Sequence, residues 1–122
     1  MQRVIKALYV KPNALPEIVN IENNLKSKQE KVGGSIEYTR LPNDEDVVLI
    51  CNEESKINGM EANRDIGYDI IFGPFLIVGD DPEIGDDRSL TKEQIRKYSK
   101  IFDQKSIEKT EEKIISLTIK EI

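Results

Sequence analysis

The most informative absence in this 122-residue chain is histidine, which does not occur at all. Histidine is the side chain whose charge changes near neutral pH, and it is also the commonest metal ligand in proteins. Its absence excludes Ser–His and Cys–His catalysis and removes the most adaptable general base. The remaining polar side chains suit binding better than catalysis, so we expect a protein that binds its ligand without transforming it.

Cysteine is also scarce, because Cys51 is the only one and it lies within an apolar run. A single cysteine cannot form a disulfide framework, so nothing in the sequence indicates an oxidising compartment. No apolar run approaches the ~18 residues of a membrane span. The N-terminal segment MQRVIKALYV is too short and too charged for a signal peptide. We therefore expect a soluble protein inside the cell, without a membrane partner.

Positive charge is in the minority, with 18 basic against 23 acidic residues and a net charge of -5. A protein that binds nucleic-acid polymers non-specifically needs a basic face to displace counterions, so we exclude that class of partner. Small anionic ligands stay possible, because a few converging arginines can dominate locally. The length and the 38% hydrophobic content suffice for one modest core, which predicts a single domain over residues 1–122.

Hydrophobic spacing predicts an α+β domain with a mainly antiparallel sheet and two helices. We expect one helix at about 24–32, ended by Gly33 and Gly34. A second is expected at 92–103, where Thr91 and Gln94 can form a capping box. The predicted strands cover residues 3–10, 17–21, 35–41, 47–51 and 69–79.

Two further features of the pattern concern the last predicted strands. Gly73-Pro74 interrupts the strand at 69–79 and predicts a kink there, since proline removes one hydrogen-bond donor. In the tail, apolar Ile115, Leu117 and Ile119 alternate with polar residues, which predicts a C-terminal strand rather than a helix.

The motifs that carry metal or phosphate chemistry are not found. The seven glycines never form a phosphate-binding loop or a dinucleotide-binding turn, and no cofactor is predicted. In the segment DDPEIGDD, a calcium-binding loop that started at Asp80 would have Gly85 at its sixth position, where such loops carry glycine. Its ligand positions three, five and twelve, however, would be Pro82, Ile84 and Thr91, where oxygen ligands are expected and the last should be Glu. No metal site is therefore predicted. We interpret the paired acids as solvated turns; they are Glu53-Glu54, Asp80-Asp81 and Asp86-Asp87.

Six residues stand out as candidates for ligand binding, because guanidinium forks suit phosphate oxygens and aromatic faces suit purine rings. They are Asn63, Arg64, Phe72, Phe75, Arg88 and Arg96. The alternative for each phenylalanine is a place in the core, and for each arginine a surface charge. Asn63-Arg64 is the strongest pair, since the surrounding segment NGMEANRDIGYD has glycines enough to turn the chain without them.

Four segments occur along the chain in the order VVLICNEE, NGMEANR, DIIFGPFLIVG and SLTKEQI. This order resembles a family of small acidic domains carried by phages and other mobile elements, most of them without an assigned activity. The resemblance extends from Val4 to Phe102. In size and α+β layout the chain also resembles phage anti-defence sponge proteins, which sequester the glycocyclic ADP-ribose signal made by TIR-domain enzymes of the bacterial Thoeris system.

The sponge resemblance implies a non-enzymatic protein that captures a small cyclic nucleotide in the cytoplasm of the host bacterium. It also implies a homodimer or larger homo-oligomer, since such pockets often lie between subunits. Two other functions stay open at this point. One is an acidic protein-interaction module or inhibitor encoded by a mobile element, and the other is a metal-dependent nucleotide hydrolase built on the acids.

Overall fold

The computed structural model describes residues 3–120, which form eight strands and three helices. In chain order they are β1 (Val4–Val10), β2 (Glu17–Glu22), α1 (Leu25–Val32), β3 (Ile36–Leu41), β4 (Asp44–Asn52), β5 (Ala62–Asp65), β6 (Ile70–Phe72), β7 (Phe75–Asp81), β8 (Asp86–Arg88), α2 (Lys92–Ile101) and α3 (Gln104–Lys120).

The main sheet has the strand order β2-β1-β7-β4-β3, and β8 pairs with the outer end of β7. Every neighbouring pair is antiparallel. β4 lies near the middle because its apolar run supplies both faces: Val47 and Leu49 pack on one side, Val48 and Ile50 on the other. The predicted α+β class and the mainly antiparallel sheet are confirmed.

Helix α1 covers one face of this sheet. Asn24 is its N-cap, with a side-chain oxygen 2.8 Å from the amide of Ser27, and Gly33 ends it in the left-handed conformation at φ 81°. The Tyr9 hydroxyl donates to the carbonyl of Lys31 at 2.7 Å and fixes the helix to β1. This confirms the predicted first helix and its glycine stop. The helix has only eight residues, so part of the face is left open.

The opposite face is covered by α2 and by a two-stranded sheet of β5 and β6, and α3 packs on β5. The predicted capping box begins α2: Thr91 accepts from the amide of Gln94, whose side chain accepts from the amide of Thr91. Tyr98 and Phe102 are buried in the core beneath, and the Phe102 ring meets Phe75 edge-on at 5.4 Å. Propensity, cap and packing agree here, so the second predicted helix is confirmed.

The predicted strand at 69–79 is not merely kinked but divided into two separate strands. Gly73 has φ 78°, and a side chain there would bring a Cβ within 2.5 Å of the Met60 sulfur. Pro74, which follows, cannot donate a backbone hydrogen bond. As a result, residues 70–72 belong to the small sheet and residues 75–81 to the main sheet.

The predicted C-terminal strand is wrong, because residues 104–120 form the 17-residue helix α3. Ile107 and Thr110 lie three positions apart and are buried against β5, while Ile114 continues the same stripe in a half-buried position. Thr110 also donates to the carbonyl of Ser106 at 2.8 Å. Apolar and polar residues do alternate at 115–119. Their apolar side chains are exposed, however, so the alternation does not mark one face of a sheet.

Candidate functional site

The open part of the α1 face forms a cleft of about 560 Å³ between the β3–β4 hairpin and the β7–β8 hairpin. We call it the α1-face cleft. Three carboxylates and one guanidinium project into it, with an aromatic ring on one wall and an apolar floor. Its lining residues are Tyr38, Arg40, Val48, Asp80, Pro82, Gly85, Asp86 and Asp87.

A buried ion pair forms the base of the cleft. Lys28 of α1 points down onto the sheet, and its Nζ lies 2.5 Å from Oδ2 of Asp87 on β8. Both side chains are nearly inaccessible, at 7% and 8% exposed. The Tyr38 hydroxyl donates to the same Oδ2 at 2.8 Å, and the Lys28 ammonium also donates to Asn23 Oδ1 at 2.8 Å. The network joins α1, β3 and β8 through one carboxylate oxygen.

The second carboxylate oxygen of Asp87, Oδ1, accepts no hydrogen bond from residues 3–120. Within residues 3–120, both hydrogen bonds to this carboxylate go to Oδ2, and Asp87 lines the cleft. A carboxylate held through one oxygen presents the other at a fixed position, which lowers the entropy lost when a donor binds. The side chain of Asp87 is therefore a preorganised acceptor for a hydroxyl or an amino group.

A more exposed ion pair crosses the cleft. Arg40 of β3 places one terminal nitrogen 2.7 Å from Oδ2 of Asp80 on β7. The Arg40 side chain is 59% exposed, so solvent screens the pair. Its other terminal nitrogen donates to the carbonyls of Glu45 and Val47 at 3.3 and 3.5 Å, so the guanidinium must give up some of these long bonds to turn towards a ligand. Arg40 is the one cation among the residues that line the cleft.

The surroundings of Tyr38 raise its pKa. Burial is the main cause that raises the pKa of Tyr38, followed by the hydrogen bond to Asp87 and the negative charges of Asp87, Asp86 and Asp80. A tyrosine with a raised pKa stays protonated at neutral pH, where it is a hydrogen-bond donor and not a base. Its ring is about half exposed and can offer a flat face to a ligand.

The structure places Asn63 and Arg64 inside the protein, on β5. The Asn63 amide nitrogen donates to the carbonyls of Val10 and Gly73, at 2.9 and 2.8 Å, and so joins the two sheets. Arg64 is fully buried, so the alternative of a surface charge is wrong. Its guanidinium donates five hydrogen bonds within the protein; the acceptors are Ser106 Oγ, Asn63 O, Asn63 Oδ1, Ala14 O and Phe102 O.

A guanidinium has five N–H groups, so Arg64 has none left for a ligand. Burial lowers its pKa, while the nearby Asp103 carboxylate opposes the shift, and the five donated bonds require the protonated form. The acceptors belong to the β1–β2 loop, to β5 and to the ends of α2 and α3. Arg64 therefore holds these segments together, and ligand binding by this residue stays a prediction that its contacts do not support.

The other four predicted residues are not brought together either. Phe75 is fully buried in the core, as the alternative to ligand binding predicts. Phe72 on β6 is half-buried, with the Lys56 ammonium 5.7 Å from its ring centre. Arg88 on β8 lies over Gly79 with its Nε buried and unpartnered, and Arg96 is exposed on α2. None of the six predicted residues lines the α1-face cleft.

The cleft residues escaped the sequence interpretation for identifiable reasons. Asp86 and Asp87 follow a glycine and read as a solvated turn, which is wrong for Asp87 because Lys28 buries it. One sequence pattern did indicate a shared surface in the cleft. Tyr38 and Arg40 are two positions apart on β3 and therefore share a face of the sheet. The antiparallel register that sets Asp80 opposite Asp87 could not be read from the sequence.

Two further observations concern chemistry that the sequence left open. In the part of the chain that the structure describes, no three His, Cys, Asp or Glu side chains are grouped so that they could hold a metal ion. Among the helices of residues 3–120, none is both long and apolar enough to cross a membrane.

Comparison with known families gives one match, which covers residues 5–103. The matching model describes a domain of unknown function, DUF3846, and it spans most of the chain. The chain belongs to this family. The DUF3846 match runs from β1 to the end of α2, so it includes the α1-face cleft and stops just before α3. No curated protein and no solved structure matches the chain significantly.

Proposed function

We propose that this DUF3846 domain acts by binding, as a non-enzymatic sponge that holds a ribose-containing signal nucleotide in the α1-face cleft. The supporting observation is the combination of Arg40, Asp87 and Tyr38 around a cavity of about 560 Å³. That volume lies within the range of about 300–1,000 Å³ for small-molecule sites. The resemblance described above suggests glycocyclic ADP-ribose as the specific ligand, and a role in the host bacterial cytoplasm during phage infection.

Each part of such a ligand has a counterpart in the cleft. The exposed guanidinium of Arg40 can bind a phosphate through two parallel hydrogen bonds. The carboxylates of Asp86 and Asp87 can accept hydrogen bonds from ribose hydroxyls. The half-exposed ring of Tyr38 can stack on the base. These contacts recognise the ligand without a step of chemistry.

Sequestration demands tight binding, since nanomolar affinity requires about 12 kcal/mol. The buried Lys28–Asp87–Tyr38 network supports the proposal here, because it fixes two ligand-facing groups before the ligand arrives. The same network argues for binding over hydrolysis: Tyr38 stays protonated, and one oxygen of Asp87 is occupied by two donors.

The decisive experiment separates a sponge from an enzyme. Purified protein is incubated with lysate that contains the TIR-enzyme product, washed, and heat-denatured, and the released molecules are identified by mass spectrometry. Recovery of the intact signal supports the proposal. Loss of the signal from the lysate without recovery would establish turnover, and an undepleted lysate would favour an acidic protein-interaction module instead.

The Arg40–Asp80 pair provides a sharper test, because its two members are expected to have opposite effects. Arg40→Gln removes the phosphate contact and should weaken binding by about 10- to 100-fold, equivalent to one charge-assisted hydrogen bond. Asp80→Asn removes a negative charge and releases Arg40, so binding should tighten by about 3- to 10-fold. Isothermal titration calorimetry with the captured signal measures both changes.

The matched control for this pair is Arg96→Gln, which removes an exposed arginine outside the cleft. Its affinity should equal that of the unmodified protein. Weaker binding in both Arg40→Gln and Asp80→Asn would mean that the ion pair only supports the fold. A loss confined to Arg96→Gln would place the ligand on α2.

A further inference from the structure

A second cavity, of about 300 Å³, lies between β3, β6 and the turn that follows β4. We call it the β6 pocket. Glu37 and Thr39 of β3 line it, whereas Tyr38 and Arg40 line the α1-face cleft. Successive side chains of a strand point to opposite faces of a sheet, so the two cavities lie on opposite faces and share no lining residue.

The turn that follows β4 forms one wall of the pocket, and it is held from inside the protein. The Asn52 side chain is only 3% exposed; its oxygen accepts from the amide of Glu54 at 2.7 Å, and its nitrogen donates to the carbonyl of Val32 at 3.1 Å. The amide of Met60 donates to the carbonyl of Ser55 at 3.0 Å and closes the turn. These bonds fix the wall before a ligand arrives, which lowers the entropy lost on binding.

The charge in the β6 pocket is unbalanced. Four carboxylates line it, and Lys56 is the one cation among the lining residues. Lys56 matches one of the four, because its Nζ lies 3.0 Å from Oδ1 of Asp69. The other three carboxylates form no ion pair and accept no hydrogen bond within residues 3–120; they belong to Glu37, Glu53 and Glu54. The pocket therefore favours a ligand with several positive charges.

A buried hydroxyl in the same wall also has no partner. Ser55 is 8% exposed and lines the pocket, but its hydroxyl forms no hydrogen bond with any residue that the structure describes. Buried polar groups are nearly always hydrogen-bonded, to the protein or to a bound group. The Ser55 oxygen is thus a free acceptor beside the unmatched carboxylates, which is an independent indication of a ligand.

The pocket already holds one ammonium group, which shows the kind of ligand that it suits. The Nζ of Lys56 lies 5.7 Å from the centre of the Phe72 ring, within the ~6 Å reach of a cation–π attraction. The Lys56 side chain is 58% exposed and has a single ion pair, with Asp69, so another ammonium can displace it. Ile57, which is 85% exposed, adds apolar surface on which methylene groups can lie.

We propose that the β6 pocket binds a linear aliphatic polyamine. Its ammonium groups pair with the unmatched carboxylates and donate to Ser55, and its methylene groups lie against Phe72 and Ile57. A chain of separated charges suits these carboxylates better than a metal ion does, because no three acidic side chains of residues 3–120 are grouped closely enough to hold one. This site does not depend on the proposed function of the α1-face cleft.

Isothermal titration calorimetry of the full chain with spermidine tests the proposal. One spermidine should bind per chain, with a Kd below about 1 mM in about 0.15 M salt. A blocked lysine carries a single ammonium and Mg²⁺ has no methylene groups, so each should bind at least about 10-fold more weakly. Spermidine that binds no more tightly than Mg²⁺ would overturn the proposal, and a blocked lysine equal to spermidine would overturn the assignment to a polyamine.

Three variants locate the site, and two of them have opposite expected effects. Lys56→Met removes the resident ammonium and frees Asp69, so spermidine should bind about 3- to 10-fold more tightly. Glu54→Gln removes an unmatched carboxylate and should weaken binding about 3- to 10-fold. Glu108→Gln makes the same change of charge at an exposed position on α3 and should leave the affinity unchanged. Equal weakening in both glutamate variants, or weaker binding in Lys56→Met, would mean that the net charge of the chain and not the pocket attracts spermidine.

Discussion

Replacing Arg64 with leucine is expected to destabilise the protein by about 3–5 kcal/mol, a large part of the ~5–15 kcal/mol that holds a typical domain together. The side chain is fully buried and donates five hydrogen bonds. Leucine would leave the buried carbonyl of Phe102 and the part-buried carbonyl of Ala14 without these donors. Urea denaturation followed by circular dichroism measures the loss.

Two companion variants separate the contributions of charge and geometry. Arg64→Lys keeps the charge but has one donor group in place of the planar fork, so we expect it to recover only part of the stability. Arg96→Leu removes an exposed arginine and should change stability by no more than about 0.5 kcal/mol. If Arg64→Leu folded as stably as the parent and lost only ligand capture, Arg64 would be a ligand contact, as its sequence position suggested.

Amide hydrogen exchange should show which elements of the protein lose stability in Arg64→Leu. Arg64 donates to Phe102 at the end of α2 and to Ser106 at the start of α3, so it fixes the junction between these helices. In Arg64→Leu, the amides of α3 should exchange faster than those of β4 and β7, which lie in the centre of the main sheet. Equal acceleration in all elements would mean that Arg64 stabilises the domain globally and not at this junction.

Local signals in the sequence were sufficient for much of the fold. The glycine stop of α1, the capping box of α2 and the apolar run of β4 each act within a few residues, and each was predicted correctly. The tail failed because a period of two among Ile115, Leu117 and Ile119 has no meaning without a burying surface. Those side chains are exposed, and the residues that decide the matter, Ile107 and Thr110, are spaced as a helix requires.

The candidate site was harder to predict than the fold, because its residues meet only through long-range pairing. Asn63-Arg64 was noticed correctly as something that a turn does not explain, but the explanation is a buried junction between two sheets. Lys28 and Asp87 are 59 positions apart, and nothing near either one indicates burial. Polar residues in unusual positions can thus mark a structural constraint as readily as a binding site, and burial distinguishes the two.

The Lys28–Asp87 pair provides the second large expected effect. Lys28→Met should cost about 3–5 kcal/mol, because among residues 3–120 it leaves the buried Asp87 carboxylate with only the Tyr38 hydroxyl as a partner. The control is Lys56→Met, which breaks an ion pair with Asp69 whose side chains are 58% and 48% exposed. That change should cost no more than about 1 kcal/mol. Urea unfolding of both variants measures the difference.

Removing both members of the buried pair should cost less than removing Lys28 alone. In Lys28→Met with Asp87→Leu no charge is left unpaired, and buried pairs replaced by apolar residues of similar size are often neutral in stability. A double variant as unstable as the sum of the single variants would contradict this, and would mean that packing and not charge dominates at the site.

The double variant also tests why the protein keeps a buried ion pair. If the pair contributes little to stability once both partners are removed, its presence needs another reason, and the proposed function would supply one: Lys28 holds the Asp87 carboxylate, which also accepts from the Tyr38 hydroxyl, in place for a ligand. A double variant that folds normally but captures at least tenfold less signal would support that reason. Full capture by the same variant would show that the ligand does not use Asp87, and would leave Arg40, Asp86 and Tyr38 as the cleft's recognition groups.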